Sequence, residues 1–175
     1  MKITIRRATV DDAKDIADVI NSVIAEEKYT IFDKPFSEEQ ERRFISSLGS
    51  RSAMFVAEMD GKVAGIQVLD LFSDLPTSSM SHVATLGTSL RSEFRGSGIG
   101  RRLAEESVRF ARDHGYRKIV IQVTDSGGKH HGPRIEDLSG TDRSVLGCNC
   151  AASNRVSSIC SRASPVQIFG RASLR

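Results

Sequence analysis

Apolar and polar residues alternate at the start of the chain, where Ile3 and Ile5 lie between polar or charged neighbours. This period of two predicts a strand over Lys2 to Arg7. Apolar residues then recur at helical spacing over residues 10 to 25 and again after residue 37, which predicts two amphipathic helices. Each helix begins with a capping-box pattern. The two capping pairs are Thr9 with Asp12 and Ser37 with Gln40.

The middle of the chain predicts four more strands and a third helix. Asp60-Gly61 is a two-residue hairpin turn between the first two of these strands. The third helix has a broad apolar face and ends before Gly115. The strands are Ala53 to Met59, Lys62 to Leu71, His82 to Leu90 and Lys118 to Val123, and the helix is Ile99 to His114. The predicted order, β-α-α-β-β-β-α-β, is that of an α/β chain.

The chain changes character after Val123. Residues 125 to 175 contain all three cysteines and no apolar period that continues over an element. We therefore expect one domain over residues 1 to 124 and an atypical, weakly structured C-terminal segment over residues 125 to 175. A shifted reading frame or a divergent replacement of the ordinary ending would explain this composition, and translating the other two frames tests that hypothesis.

Composition excludes several classes of protein. The 175 residues are 39% hydrophobic and 27% charged, which is ordinary for a globular chain. A net charge of only +3 and the absence of tryptophan argue against a nucleic-acid partner. The longest apolar runs are too short to span a membrane, and the charged start is unlike a secretory signal. An odd number of cysteines, 3, favours a cytoplasmic location without a disulfide framework.

The stretch from Leu90 to Leu103 carries the candidate chemistry, because three glycines and three arginines stand where a strand ends and a helix begins. They are Gly96, Gly98 and Gly100, with Arg95, Arg101 and Arg102. Glycine leaves backbone N–H groups accessible, and a helix start adds unpaired donors and the positive end of its dipole. Together these features predict a cradle for a diphosphate.

Three phosphate-binding motifs compete for this stretch. A P-loop requires lysine and a hydroxyl residue after the last glycine, where Arg101 and Arg102 stand instead. A dinucleotide fingerprint requires a third glycine at the position of Arg101, although Asp125 partly matches its ribose-binding acid. The remaining pattern, Arg-x-x-Gly-x-Gly, is met by Arg95, Gly98 and Gly100. A tight turn without any ligand is the plain structural alternative.

This third pattern, in this element order, resembles the GCN5-related N-acetyltransferase (GNAT) superfamily over about residues 2 to 123. The stretches Thr30 to Asp33 and Pro35 to Ser37 also resemble the acceptor loop of small-amine members such as the phosphinothricin acetyltransferases. The resemblance implies a mixed, mostly antiparallel twisted sheet with helices on both faces. It also implies that the strand before the glycine loop diverges from its neighbour, and that acetyl-CoA binds along the exposed edge.

The resemblance further implies which residues bind acetyl-CoA. Ser89 and Leu90 would contact the pantetheine arm, and the following loop would hold the diphosphate through its backbone N–H groups. The loop residues are Arg95, Gly96, Ser97, Gly98, Ile99, Gly100 and Arg101.

The acid–base residues of the family lack clear counterparts. Thr85 stands where some members carry an acidic base, and a threonine cannot serve as one. His82 and Glu93 are the nearby catalytic candidates, with a surface histidine and a solvated turn glutamate as the plain alternatives. The tyrosine that commonly protonates the leaving thiolate is missing, because Tyr29 and Tyr116 both precede the region that carries it.

The sequence thus predicts transfer of an acetyl group from acetyl-CoA to a primary amine, on a small molecule, a protein N-terminus or a lysine, by direct attack in a ternary complex. A catalytically impaired acyl-CoA-binding module and a nucleotide-dependent oxidoreductase are the alternatives. No metal is expected, because the spacing of the late histidines and cysteines fits no common zinc pattern. These residues are His130, His131, Cys148, Cys150 and Cys160. The oligomeric state is open, a homodimer being the commonest assembly.

Overall fold

A six-stranded sheet in the order β1-β2-β3-β4-β5-β6 is the framework of the computed structural model, which describes residues 2–30, 32–72, 78–124 and 130–138. The strands are β1 Ile3–Arg7, β2 Ala53–Met59, β3 Lys62–Leu71, β4 Val83–Leu90, β5 Lys118–Thr124 and β6 His130–Asp137. The helices are α1 Ala13–Ile24, α2 Glu38–Ser47 and α3 Ile99–Asp113. Short 3-10 turns cover Val10–Asp12, Ser78–Met80 and Ser92–Phe94.

Strand pairing is antiparallel everywhere except between β4 and β5, which are parallel. A parallel pair needs a crossover connection, and α3 supplies it. The β2–β3 hairpin turns at Asp60 and Gly61, whose φ angles of 50° and 82° are the left-handed values that this tight turn requires. The predicted mixed, mostly antiparallel sheet and its hairpin are therefore confirmed.

Helices cover both faces of the sheet because alternate strand residues point to opposite sides. Phe55 of β2 lies in the core on the α3 face, while its neighbour Val56 lies in the core on the α1 and α2 face. In β5 the consecutive residues Ile119, Val120 and Ile121 are all buried. The predicted strand over Lys118 to Val123 is therefore buried on both faces over these residues.

The first helix starts later than its periodicity predicts. The capping pair is present, since the Asp12 carboxylate accepts hydrogen bonds from the Thr9 N–H (2.7 Å) and hydroxyl (2.9 Å). This pair caps a 3-10 turn, Val10–Asp12, and the α-helix begins at Ala13. The guanidinium of Arg6 donates to both oxygens of Asp12 (2.6 and 2.8 Å), and this pairing lowers the pKa of Asp12 to about 2. The buried carboxylate therefore stays ionised at neutral pH.

β6 departs from the prediction of a weakly structured segment after residue 125. It pairs antiparallel with β5, and Leu138 behind it packs on the core of the α3 face. Local sequence gives little sign of a strand, because residues 130–137 hold one large apolar residue, Ile135, together with Gly132 and Pro133. The glycine and proline fall where the register shifts, and an edge-strand bulge tolerates both residues.

The predicted domain boundary after residue 124 stays a prediction. The three cysteines, Cys148, Cys150 and Cys160, lie outside the described residues, as does the loop over residues 73–77. The hypothesis about the reading frame likewise concerns a segment that is mostly outside the described residues.

A buried carboxyl group lies on α2, the helix that packs against α1 and the 3-10 turn before it. Glu41 is one turn before the buried Ile45 on α2 and is only 4% exposed. Among the residues that the structure describes, no side chain donates a hydrogen bond to its carboxyl group. Burial raises the pKa of Glu41 from 4.5 to about 7 because the charged form loses its hydration.

The free energy of unfolding should therefore depend on pH through Glu41. A raised pKa in the folded state contributes stability that is complete below about 4.5 and is lost as pH rises through about 7. The shift corresponds to about 3 kcal/mol at most. Denaturant titrations from pH 4 to 8 should show that Glu41→Gln flattens this decline and exceeds the wild type at pH 8. Glu39→Gln, an exposed neighbour on the same turn, should keep the wild-type profile. A Glu41→Gln effect that is equal at every pH would contradict this account.

Candidate functional site

β4 and β5 separate part-way along their length. Their pairing runs from Val83 opposite Lys118 to Leu86 opposite Ile121 and then stops. β4 continues to Leu90, still paired with β3. The last four residues of β4 therefore present a backbone edge that the described part of β5 does not cover.

The backbone groups of β4 alternate between its two sides. The Val83 carbonyl accepts a hydrogen bond from the residue after β3 (3.1 Å), and Arg91 N–H donates to a β3 carbonyl (3.1 Å), so the odd-numbered positions face β3. By the same alternation, the N–H and C=O groups of Thr88 and Leu90 face the opposite edge of β4, which is no longer paired with β5. The predicted contact residue Ser89 has its backbone turned towards β3 and is only 5% exposed.

Close packing holds Leu90 in place. Gly65 on β3 is the cross-strand partner of Leu90. A Cβ atom at Gly65 would lie 2.1 Å from Leu90 Cδ2 and 2.9 Å from the Ser89 carbonyl oxygen. Only glycine therefore fits at position 65 without moving the end of β4. The absence of a side chain at Gly65 thus lets Leu90, the last residue of β4, pack closely against β3.

The glycine loop turns the chain from β4 into α3. Gly96 and Gly98 have φ angles of 74° and 84°, values that favour glycine, and no protein atom lies within 4 Å of a Cβ built at either position. The Ser97 hydroxyl donates to the Phe94 carbonyl (2.5 Å) and so braces the turn from within. Among the described residues, the space beside Gly96 and Gly98 is therefore open.

Six consecutive backbone N–H groups of this loop, from Gly96 to Arg101, find no acceptor among the described residues. The first internal bond of α3 is donated by Arg102 to the Gly98 carbonyl (3.2 Å). Free N–H groups at a helix start, aligned with the positive end of its dipole, are suited to an anion. Their number and the open loop fit a diphosphate, and the exposed β4 edge lies directly before them. These residues therefore fit the phosphate and arm of acetyl-CoA.

Arg95 has a role that its place in the glycine motif does not predict. Its guanidinium pairs with both carboxylate oxygens of Glu26 and donates to the Leu90 carbonyl (2.9 Å), with Tyr29 stacked 5.2 Å away. Glu26 and Tyr29 follow α1, so Arg95 ties the glycine loop to the loop between α1 and α2. The other two arginines also have protein partners: Arg101 pairs with Glu105 on the exposed surface, and Arg102 donates to the Ile3 carbonyl.

The loop between α1 and α2 is anchored at its far end as well. The side-chain amide of Asn21 both donates to the Phe36 carbonyl (2.9 Å) and accepts from the Phe36 N–H (2.8 Å). Phe36 packs edge-on against Phe32, with ring centroids 5.0 Å apart. The stretch likened to an acceptor loop is thus fixed at both ends beside the glycine loop.

The two catalytic candidates lie apart from the exposed edge of β4. His82 immediately precedes β4, at the end remote from the glycine loop, and its backbone carbonyl accepts hydrogen bonds from the N–H groups of Arg117 and Lys118. At ~3.3 Å per residue it is about 13 Å along the strand from Leu86. Glu93 is exposed on the 3-10 turn after β4, with a 3.4 Å contact to the Ser92 hydroxyl.

A different carboxylate lies beside Thr85. Asp70 of β3 is the cross-strand partner of Thr85, and the Thr85 hydroxyl donates to its backbone carbonyl (3.4 Å). The Asp70 carboxylate accepts hydrogen bonds from the Ser52 hydroxyl (2.5 Å) and the Leu71 N–H (2.8 Å). Paired side chains lie on the same face, so Asp70 reaches the region where the resemblance expects a base. Only the strand register reveals it, because Asp70 and Thr85 are far apart in sequence.

Neither a metal cluster nor a membrane span emerges from the described ranges. No three His, Cys, Asp or Glu side chains there are grouped to hold a metal ion. None of the three helices has the length and apolarity needed to cross a bilayer.

Comparison with known proteins decides the family. The model of the Acetyltransferase (GNAT) family matches residues 20–130, more than half of the chain. The chain belongs to the GNAT family. The matched range contains the diverging strands, the glycine loop and α3, which are the GNAT elements assembled above.

Curated proteins with similar sequences are named N-acetyltransferases. Human N-acetyltransferase 8B is 33% identical over 84 residues, which is 48% of this chain and 36% of that protein. Rat N-acetyltransferase family 8 member 2 is 36% identical over 76 residues, 43% of this chain and 33% of that protein. The chain therefore spans about a third of the length of the curated relatives that it matches.

Solved structures share the GNAT fold. A GNAT superfamily phosphinothricin acetyltransferase from Sinorhizobium meliloti, in complex with acetyl-CoA, has a TM-score of 0.65 at 23% identity, covering 71% of this chain and 67% of its own. A GCN5-related N-acetyltransferase from Kribbella flavida has a TM-score of 0.61 at 24% identity, covering 70% and 72%. At this identity the likeness establishes the fold of the chain.

Breaking the Arg95–Glu26 pair should loosen the loop between α1 and α2. Glu26→Gln removes the charge from a partly buried bidentate pair, so we expect a loss of about 1 kcal/mol in unfolding free energy and faster trypsin cleavage at Lys28. Glu105→Gln, which breaks the exposed Arg101 pair, is the matched control and should cost less than about 0.5 kcal/mol. Equal cleavage rates in the two variants would show that the pair does not hold the loop.

Proposed function

We propose that this GNAT protein transfers an acetyl group from acetyl-CoA to a primary amine within a ternary complex. The observation that carries the proposal is the row of six free N–H groups from Gly96 to Arg101, placed directly after the exposed edge of β4. The start of α3 leaves the N–H groups of residues 98–101 free, as any helix start does, and the glycine turn before it adds those of Gly96 and Ser97 on exposed backbone that an anion can approach.

Binding is assigned to the backbone more than to side chains. The N–H groups of Gly96 to Arg101 hold the diphosphate, and the edge groups of Thr88 and Leu90 pair with the amides of the pantetheine arm. Acetyl-CoA supplies the acetyl group as an activated thioester. The Thr88 N–H, on the same free edge as Leu90 but farther from the glycine loop, donates to the thioester oxygen as negative charge develops there, which is the usual contribution of a preorganised donor. Holding amine and thioester together supplies much of the remaining rate.

Asp70 is the group that we assign as general base. It lies across from Thr85, where the family resemblance places this task, whereas His82 precedes β4 at the end remote from the glycine loop and Glu93 is exposed on the turn after β4. The attacking amine must lose a proton, directly or through water, and an ionised carboxylate accepts it. The hydrogen bonds from Ser52 and Leu71 fix the orientation of the Asp70 carboxylate.

The acceptor is assigned as a class, a primary amine of a small molecule or a peptide. The loop between α1 and α2, fixed by Arg95 and Asn21, would form one wall of its pocket, and loops of this kind set specificity on a shared scaffold. A cytoplasmic location and a homodimer are expectations that accompany this assignment.

Acetyl-CoA binding tests the cradle. Isothermal titration should detect binding of acetyl-CoA and CoA, and Gly98→Ala should weaken both about tenfold or more, since a methyl group would enter the open loop. Gly61→Ala is the matched control because Gly61 also has a left-handed φ, 82°, and open space, but lies in the β2–β3 hairpin. Both variants should lose similar stability, about 1 kcal/mol. Stabilisation by NAD without binding of CoA would instead favour an oxidoreductase.

Turnover with a panel of amines tests the base. With phosphinothricin, lysine peptides and peptides with a free N-terminus as acceptors, Asp70→Asn should lower kcat about 100-fold or more while leaving the Kd for acetyl-CoA unchanged. His82→Gln and Glu93→Gln should retain most of the activity. A loss confined to either of these two variants would move the base there. Tight acetyl-CoA binding without turnover of any amine would favour an acyl-CoA-binding module.

A further inference from the structure

A chain of three polar side chains crosses the core between α3 and β4. The Ser107 hydroxyl of α3 donates to the Gln67 side-chain carbonyl (2.7 Å), and the Gln67 side-chain N–H donates to the Thr88 hydroxyl oxygen (2.7 Å). Ser107 is 0% and Gln67 1% exposed, so both are surrounded by apolar core. Thr88, at the other end, is half-buried. The chain therefore leads from the centre of the molecule to the edge of β4.

The donors and acceptors of this chain leave one proton at its outer end. A hydroxyl has a single O–H donor, and that of Ser107 is used on Gln67. Thr88 receives a hydrogen bond from Gln67, so its own proton remains to be donated. The described residues offer no acceptor for it. Burying such a chain in an apolar core is costly, and an all-apolar replacement would pack there without that cost.

At position 88, β4 is no longer paired with β5. Pairing ends at Leu86, and the backbone of Thr88 faces the side that β5 leaves. Of the two outward-facing positions, Thr88 is farther than Leu90 from the loop that holds the diphosphate. An arm that runs back from the loop along β4 therefore reaches Thr88 with its thioester end.

We propose that Thr88, oriented by Gln67 and Ser107, donates a hydrogen bond to the sulfur of the coenzyme and stabilises it as the leaving thiolate. This rests on the proposed acetyl transfer and adds a leaving-group contact, which the proposed function leaves unassigned. Tyr116 is buried and donates to the Arg51 carbonyl (3.0 Å), while Tyr29 packs on Arg95. Neither of the two tyrosines is bonded into the chain that ends at Thr88.

The step balances without proton transfer from Thr88. The amine nitrogen forms a bond to the acetyl carbon, the carbon–sulfur bond breaks, and its electron pair stays on sulfur. The proton of the amine passes to the base and then to water. Thr88 keeps its proton and donates a hydrogen bond to the thiolate, which charge makes stronger than a bond to the neutral thioester. Gln67 and Ser107 act as positioning residues.

The thiol of bound CoA provides a test that needs no acceptor. Titrating CoA binding from pH 6 to 9.5, with desulfo-CoA as the matched ligand, reports the thiol pKa in the complex. In the wild type we expect a thiol pKa lowered by about one unit, seen as about tenfold tighter binding of CoA at high pH. Thr88→Val should abolish this gain, and Thr88→Ser should restore it. Ser107→Ala should reduce it in part, because Gln67 then turns more freely.

The outcomes separate this contact from the function beneath it. Equal pH dependence of CoA binding in Thr88→Val and the wild type would overturn the thiolate contact alone. So would an equal loss for CoA and desulfo-CoA, or failure of Thr88→Ser to rescue, since either indicates a packing role. A wild-type protein that binds neither ligand would overturn the proposed function first. Thermal melts of all variants identify any that do not fold.

Discussion

The early end of the pairing between β4 and β5 is the constraint on which the site depends. A sheet that kept this pairing would satisfy the backbone groups of Thr88 and Leu90 internally and leave no edge to bind along. Because the two strands are parallel, α3 must connect them, and its start is then brought to the same end of the sheet as the free edge. The parallel pairing of β4 and β5 thus brings the free edge of β4, the glycine loop and the start of α3 together in succession.

The contacts around this line are mostly between distant parts of the chain. Arg95 reaches Glu26 across 69 residues, and it also occupies the Leu90 carbonyl. Its guanidinium therefore lies between the backbone that serves the coenzyme and the loop assigned to the acceptor. Arg95, which the sequence places in a phosphate-binding motif, thus has protein partners in this structure, whereas the loop N–H groups after it have none among the described residues.

Local patterns were sufficient for elements whose cause is local. Asp60-Gly61 predicts its hairpin because only particular φ angles close that turn, and the three glycines after β4 predict an open loop for the same reason. β6 could not be predicted this way, since His130 to Asp137 form a strand by pairing with β5 and have little strand propensity of their own. The proximity of Asp70 to Thr85 could not be predicted locally because it follows from strand register. The Arg95–Glu26 pair could not be predicted because the partner lies in another loop, and the assignment of Arg95 to the coenzyme stays a prediction. His82 and Glu93 remain predictions whose positions give them no support.

Gly65 shows how far the demands of the site extend through the sheet. Any side chain there would strike Leu90 and the Ser89 carbonyl, although position 65 touches no ligand in the assignment above. Substitution of Gly65 is therefore restricted by residues of the next strand, β4. A smaller residue in place of Leu90 would relieve the contact with its side chain but leave the clash with the Ser89 carbonyl, so position 65 should stay glycine among homologues even where position 90 varies.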